Sequence, residues 1–172
     1  MSARYSEFSD AKGRHYVEHD MPENMAYSHP IRSYGEPRRL SVYDPSDPTP
    51  RVVTPEGGGI VEHPKGEPGL VGYSDFYREP HRESGLTFVS KDEHGNEVRE
   101  KSKPIADTNI GYMHVLDRHA GGGIGRQMFD YMHKTTPEGS VLNVGRVAHD
   151  KTEHMAKKLR EEKPDSVHYK LF

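Results

Sequence analysis

The sequence has no cysteine, and that absence removes disulfide bonds, thiolate nucleophiles and cysteine-ligated zinc together. No apolar run approaches the roughly 20 residues that a membrane-spanning helix needs, and the polar start MSARYSEFSD lacks the apolar core of a signal peptide. These absences predict a soluble protein of the cytoplasm, or of a particle assembled there, with no membrane contact. Charge of one sign is missing as well: the formal net charge is −3, so no bulk field indicates nucleic acid or an anionic surface as partner. Apolar residues are scarce, at 31% of the chain against 30% charged, with 17 Gly and 13 Pro among 172 residues. That is little core material for a fully packed chain of this length, and it predicts one domain with an appendage.

The appendage is placed at residues 1–54. Prolines recur there at Pro22, Pro30, Pro37, Pro45, Pro48 and Pro50, with no sustained helical or strand period between them. Such a stretch is either a disordered arm or an extended strap whose Tyr16, Tyr27, Tyr34 and Tyr43 dock on the domain or on a neighbour. It also suits contacts between copies of the chain, or with an assembly partner.

A domain is expected over 55–172. Short strands are predicted around Ile60 and Val61 and over 70–78, and a hairpin from LTFVS (86–90) and NEVREK (96–101), joined by the polar turn KDEHG. A strand over 109–116, a helix from about 123 to 134, a strand over 140–145, a helix over 150–162 stopped by Pro164, and a last strand in VHYKLF complete the order.

The most telling stretch is NIGYMHVLDRHAGGGIGRQMFDYM, residues 109–132. Its start alternates as a strand does, and Ile124, Met128, Phe129 and Met132 give one apolar helix face at its end. Between them, Gly121, Gly122, Gly123 and Gly125 strip side chains from the turn. Successive main-chain N–H groups can then approach an anion, with the N-terminus of the following helix aimed at it. Arg118 and Arg126 flank the cluster as guanidinium partners for phosphate oxygens, so a diphosphate suits the cradle. A glycine cluster alone also describes a flexible linker, but the strand and helix patterns on its two sides frame it as a loop with fixed ends.

From Val115, VLDRHAGGGIGRQMF resembles the coenzyme A loop of the GCN5-related N-acetyltransferases, roughly V-x-P-x-x-R-G-x-G-I-G-x-x-L, with no gap in the register. Val115 falls on the valine, Gly121, Gly123 and Gly125 on the glycines, Ile124 on the isoleucine, and Phe129 lies close to the leucine. Asp117 stands in place of the proline and Ala120 in place of the loop arginine or glutamine. The resemblance implies an α/β fold with a mixed, mostly antiparallel central sheet flanked by helices, preceded here by the long irregular arm. It implies that Val115, Arg118, Gly121, Gly122, Gly123, Ile124, Gly125 and Arg126 hold acetyl-coenzyme A or another acyl-coenzyme A as co-substrate. The acyl-pantetheine arm would lie where the strands before and after the loop's helix splay apart. The implied activity is transfer of the acyl group to a small-molecule or protein amine by direct attack.

In the resembled family a tyrosine on the helix after the second strand commonly serves as the acid, in N-x-x-A-x-x-x-Y-x-K-x-G-F; the corresponding AHDKTEHMAKKLREEKP has none. His154 and His149 are the protonatable substitutes, since imidazole titrates near physiological pH. Asp107, His114, Glu62 and Asp75 are further candidates for a base. No H-E-x-x-H or similar ligand spacing occurs, so no metal site is expected. Ala120, the missing tyrosine and the arm keep a second expectation open: a catalytically silent protein that uses the fold as a binding or assembly module.

Overall fold

The computed structural model describes residues 6–22, 35–54, 58–79, 87–101, 107–137, 140–147 and 150–171. In chain order they form β1 (Ser6–Ser9), β2 (His15–Asp20), β3 (Glu36–Tyr43), β4 (Pro50–Val53), β5 (Ile60–Glu62), β6 (Glu67–Pro68) and β7 (Leu70–Arg78). β8 (Thr87–Lys91), β9 (Glu97–Lys101), β10 (Thr108–Val115), α1 (Ile124–Thr135), β11 (Leu142–Val147), α2 (Asp150–Glu162) and β12 (Val167–Leu171) follow. The main sheet has the order β1-β2-β3-β7-β10-β11-β12. Neighbours from β1 to β10 run antiparallel, whereas β10–β11 and β11–β12 run parallel. Parallel neighbours need a crossover, and α1 and α2 supply the two. The protein is therefore α/β, with a mixed, mostly antiparallel sheet and two described helices. β5-β4-β6 form a small second sheet, and β8 with β9 the predicted hairpin.

β7 shows where the core sits, because it is buried on both faces along nearly all its length. On one face Tyr16, Leu40, Val42, Val71 and Phe76 meet Ile124, Met128, Phe129 and Met132 of α1 and Ala156 and Leu159 of α2. The apolar face predicted for α1 is the buried one. On the other face Leu70 and Tyr73 pack with Ile60 of the small sheet, bordered by Tyr43, Val53 and Tyr112. The predicted spans from residue 60 onward match β5, β7, β8, β9, β10, α1, β11, α2 and β12 within about two residues, the usual scatter of element ends.

Where they are described, residues 1–54 depart from the expected irregular arm. Their described part supplies β1, β2 and β3 to the main sheet and β4 to the small one, so strands from both sides of residue 54 share one sheet. Tyr16 lies in the core and Tyr43 borders the second cluster; Tyr27 and Tyr34 fall outside the described residues. The strand period is hidden in the sequence because charges occupy inward positions. Glu18 stands opposite Leu40 and so shares the helix-facing side with Arg38. Arg38 Nε donates to Glu18 Oε2 at 2.9 Å, and Arg78 Nη2 and the Tyr131 hydroxyl of α1 each donate to Oε1 at 2.6 Å. Arg38 also pairs with Asp20. On the opposite face Arg39 and Asp75, directly opposed in register, make two bonds of 2.6 and 2.9 Å. Each buried charge meets its opposite, which is the condition for burying it.

Burial alone would raise the Glu18 pKa, but the hydrogen bond and charge of Arg78, then Tyr131 and Arg38, hold it below the ordinary 4.5. A carboxyl depressed in the folded state stabilises above its unfolded pKa and loses that contribution as pH falls through the lowered value. Glu18→Gln is therefore expected to lower the unfolding free energy by about 3 kcal/mol at pH 7, because Arg78 loses its carboxylate partner and Arg38 is left with its pairing toward Asp20. The gap to the parent should narrow below about pH 4. Urea titrations at the two pH values measure both effects, and equal midpoints at pH 7 would show that the network contributes nothing.

Candidate functional site

β10 pairs with β7 along its whole length, with a register shift between Ile110 and Tyr112. With β11 it pairs only at Thr108↔Leu142 and Asn109↔Asn143, where Asn143 Nδ2 donates to Asn109 Oδ1 at 2.9 Å. Beyond Asn109 no further pair joins β10 to β11 among the described residues, although β11 goes on pairing with β12 to Val147↔Leu171, across a register shift between Asn143 and Arg146. The two parallel strands thus part toward their C-terminal ends.

The loop begins where the Leu116 N–H donates to the Val71 carbonyl at 2.9 Å, the last bond to the sheet. A 3-10 turn over Asp117–His119 follows, with His119 N–H bonded to Leu116 O at 2.9 Å and Ala120 N–H to Asp117 O at 3.1 Å. Gly123 caps α1 without any side-chain bond, and the first helical bond runs from Gln127 N–H to Gly123 O at 3.0 Å. Among the described residues the N–H groups of Gly121, Gly123, Ile124, Gly125 and Arg126 meet no acceptor. The first turn of α1 carries no acidic residue, so no carboxylate offsets the positive end of its dipole. The arrangement is a set of free main-chain donors at the mouth of the splay.

The four glycines have different reasons to be there. Gly121 and Gly123 have φ of +79° and +89°, the left-handed region in which a Cβ is strained. A Cβ on Gly122 would stand 2.9 Å from Arg14 Nη1, and one on Gly125 would stand 2.8 Å from Met155 Cε of α2. Gly125 therefore lets the two helices approach. Val115 is half-buried against the main core and Ile124 lies within it, so both anchor the loop's ends.

The two arginines part company. Arg118 is 62% exposed beside the loop, 3.8 Å from Asp47. Arg126 turns along the helix instead, bonding Asp130 at 2.9 Å and Glu162 at 2.6 Å. The cations that do reach the loop are ones that local spacing gave no sign of: Arg14 Nη2 donates to the Gly122 carbonyl at 2.8 Å and Lys12 Nζ at 3.3 Å. His119 is hydrogen-bonded to Asp47 at 2.8 Å and lies 3.6 Å from Asp44. With Arg51 it holds the Asp47 carboxyl well below the usual carboxylate range. This fixes the 3-10 turn against the β3–β4 connection.

Of the proposed proton-handling groups, His154 is exposed on α2, next in sequence to the Met155 that packs at Gly125, and His149 lies outside the described residues. Asp75 is committed to Arg39, Glu62 is exposed on the small sheet, and Asp107 accepts from the Val141 N–H at 2.8 Å. His114 stands on the part of β10 that β11 leaves unpaired, with its ring 6.4 Å from that of Tyr73. Burial lowers its pKa, with Asp117 opposing, so it is neutral at pH 7 and able to accept a proton. Among the described residues no group of three or more His, Cys, Asp or Glu is placed to hold a metal ion, and no helix is long and apolar enough to cross a membrane.

No protein-family model matches the chain, and no curated protein matches it. The separate roles of the glycines can be measured directly. Gly123→Ala is expected to destabilise by about 1–2 kcal/mol through its positive φ. Gly125→Ala should stay within about 0.5 kcal/mol of the parent, because the flexible end of Met155 yields and alanine favours the helix. Thermal unfolding of the two variants ranks them, and the reverse order would show that loop conformation is not what Gly123 supplies.

Proposed function

We propose that the chain is an acyl-coenzyme A-dependent N-acyltransferase of the GCN5-related type, acting in the cytoplasm on a small-molecule or protein amine. The observation that carries this reading is the splay of β10 from β11 with unsatisfied loop amides at its mouth. A long, thin cofactor arm needs hydrogen-bonding strand edges, and a diphosphate needs converging N–H donors; the two occur here side by side. The N–H groups of Gly121, Gly123, Ile124, Gly125 and Arg126 would hold the diphosphate, with the exposed guanidinium of Arg118 beside it. The edge of β10 that β11 leaves open from Ile110 to Val115 would bond the amide groups of the pantetheine arm. Neutral His114 on that stretch suits the base that takes a proton from the attacking ammonium, and His154 on α2 remains the candidate acid.

An acyl-coenzyme A, as co-substrate, supplies the activated thioester. The amine nitrogen bonds to the acyl carbon, the carbon–sulfur bond breaks, and the departing thiolate takes up a proton, so no covalent enzyme intermediate is required. The assembly alternative rests on Ala120, on the missing helix tyrosine and on residues 1–54 as a free arm; the last of these is weakened by β1, β2, β3 and β4, which the described part of that stretch supplies to the sheets.

Acetyl-coenzyme A at about one hundred times its dissociation constant is expected to stabilise the protein by roughly 2.7 kcal/mol, a rise in Tm on the order of 5 °C. Gly121 is the place to block the site, because a Cβ there meets no atom within 4 Å. Gly121→Asp should abolish the shift by placing a carboxylate among the donors, while Gly121→Asn, equally tolerant of positive φ, should keep most of it. No shift in the parent at millimolar ligand, or an equal shift in both variants, would refute the assignment.

A further inference from the structure

The glycine loop is not held by its own residues alone. The turn between β1 and β2 reaches it from more than a hundred positions earlier in the chain. Arg14, only 6% exposed, is fixed on two sides by Asp10, whose Oδ2 accepts from Arg14 Nε at 2.6 Å and whose Oδ1 accepts from the Arg14 main-chain N–H at 3.0 Å. The Tyr16 hydroxyl donates to the same Oδ2 at 2.8 Å, and the Lys12 N–H to Oδ1 at 2.9 Å. The guanidinium therefore has one orientation, and its Nη2 meets the Gly122 carbonyl at 2.8 Å.

We propose that Arg14 is a positioning residue of the anion site: by holding the Gly122 carbonyl against the β1–β2 turn, it aims the Gly123 N–H the opposite way, as a donor to bound phosphate. The peptide between Gly122 and Gly123 is trans, so its C=O and N–H point in opposite directions, and fixing one fixes the other. Without such a hold, a peptide flanked by glycines turns over readily. The absent Cβ at Gly122 is part of the device, since a methyl there would stand 2.9 Å from Arg14 Nη1. A cation on the carbonyl oxygen also polarises the peptide and makes its N–H a stronger donor. Lys12 Nζ, at 3.3 Å from the same oxygen and on an exposed side chain, is the weaker second donor. The acyltransferase reading enters only in naming the anion as the diphosphate of coenzyme A.

The test follows the Gly123 amide resonance of the full chain during titration with inorganic diphosphate and, separately, with coenzyme A. Three variants are compared with the parent: Arg14→Met combined with Lys12→Met, Arg14→Lys, and Gly122→Ala. The last leaves Asp10, Arg14 and Tyr16 in place and displaces only the guanidinium tip, so it serves if the double variant fails to fold. In the parent the Gly123 resonance should move with both ligands. Affinity should fall on the order of ten-fold or more in the double variant and in Gly122→Ala, with part recovered in Arg14→Lys, which keeps one charged donor. Folded variants that bind both ligands as the parent does would overturn the role of Arg14 and leave the acyltransferase reading standing. Arg14-dependent diphosphate binding in a protein that does not bind coenzyme A would uphold the role and refute that reading. A parent that binds neither would refute both.

Discussion

A single buried carboxylate ties this structure together. Glu18 on β2 accepts from Arg38 on β3, Arg78 on β7 and Tyr131 on α1, so one side chain joins three strands and the helix that crosses them. Removing it would leave two guanidinium groups short of a counter-charge on the helix-facing side of the sheet, a far larger penalty than any surface ion pair carries. The same stretch of chain governs the other end of α1, because Arg14, just before β2, holds the Gly122 carbonyl. α1 is thus fastened near its N-terminus and again in its third turn by residues four positions apart. That fastening keeps the free amides of the loop in place beyond the C-terminal end of β10.

The second half of the chain could be read from its sequence because each element there follows a local rule. The apolar spacing of Ile124, Met128, Phe129 and Met132 marks the buried face of α1, and Pro164 stops α2 soon after Glu162. The first 54 residues could not, because the alternation that marks a strand is filled by charges whose partners are remote. Glu18 finds Arg38 twenty residues on, Arg78 sixty on and Tyr131 one hundred and thirteen on. A pattern that scores charge as exposed misses all three.

At the site, the glycines were evident but their separate duties were not. Gly125 makes room for Met155, and Gly122 for Arg14, both contacts across the fold. Arg126 has the sequence position of a phosphate partner and instead answers Asp130 and Glu162. Lys12 and Arg14 lie 110 and 108 residues from Gly122, beyond the reach of any spacing rule. What local reasoning could supply was the backbone chemistry: a strand, a turn stripped of side chains, and a helix N-terminus, which together make a donor site whatever cations surround it.

In the proposed function this donor site and the open edge of β10 act as one binding surface for an acyl-coenzyme A. Amide hydrogen exchange of the full chain, with and without acetyl-coenzyme A, tests it most directly because it reports on both parts at once. Protection is expected over 121–126 and over 110–115, with little change in the hairpin 87–101. Unchanged exchange in the loop and β10, or protection confined to the hairpin, would contradict it.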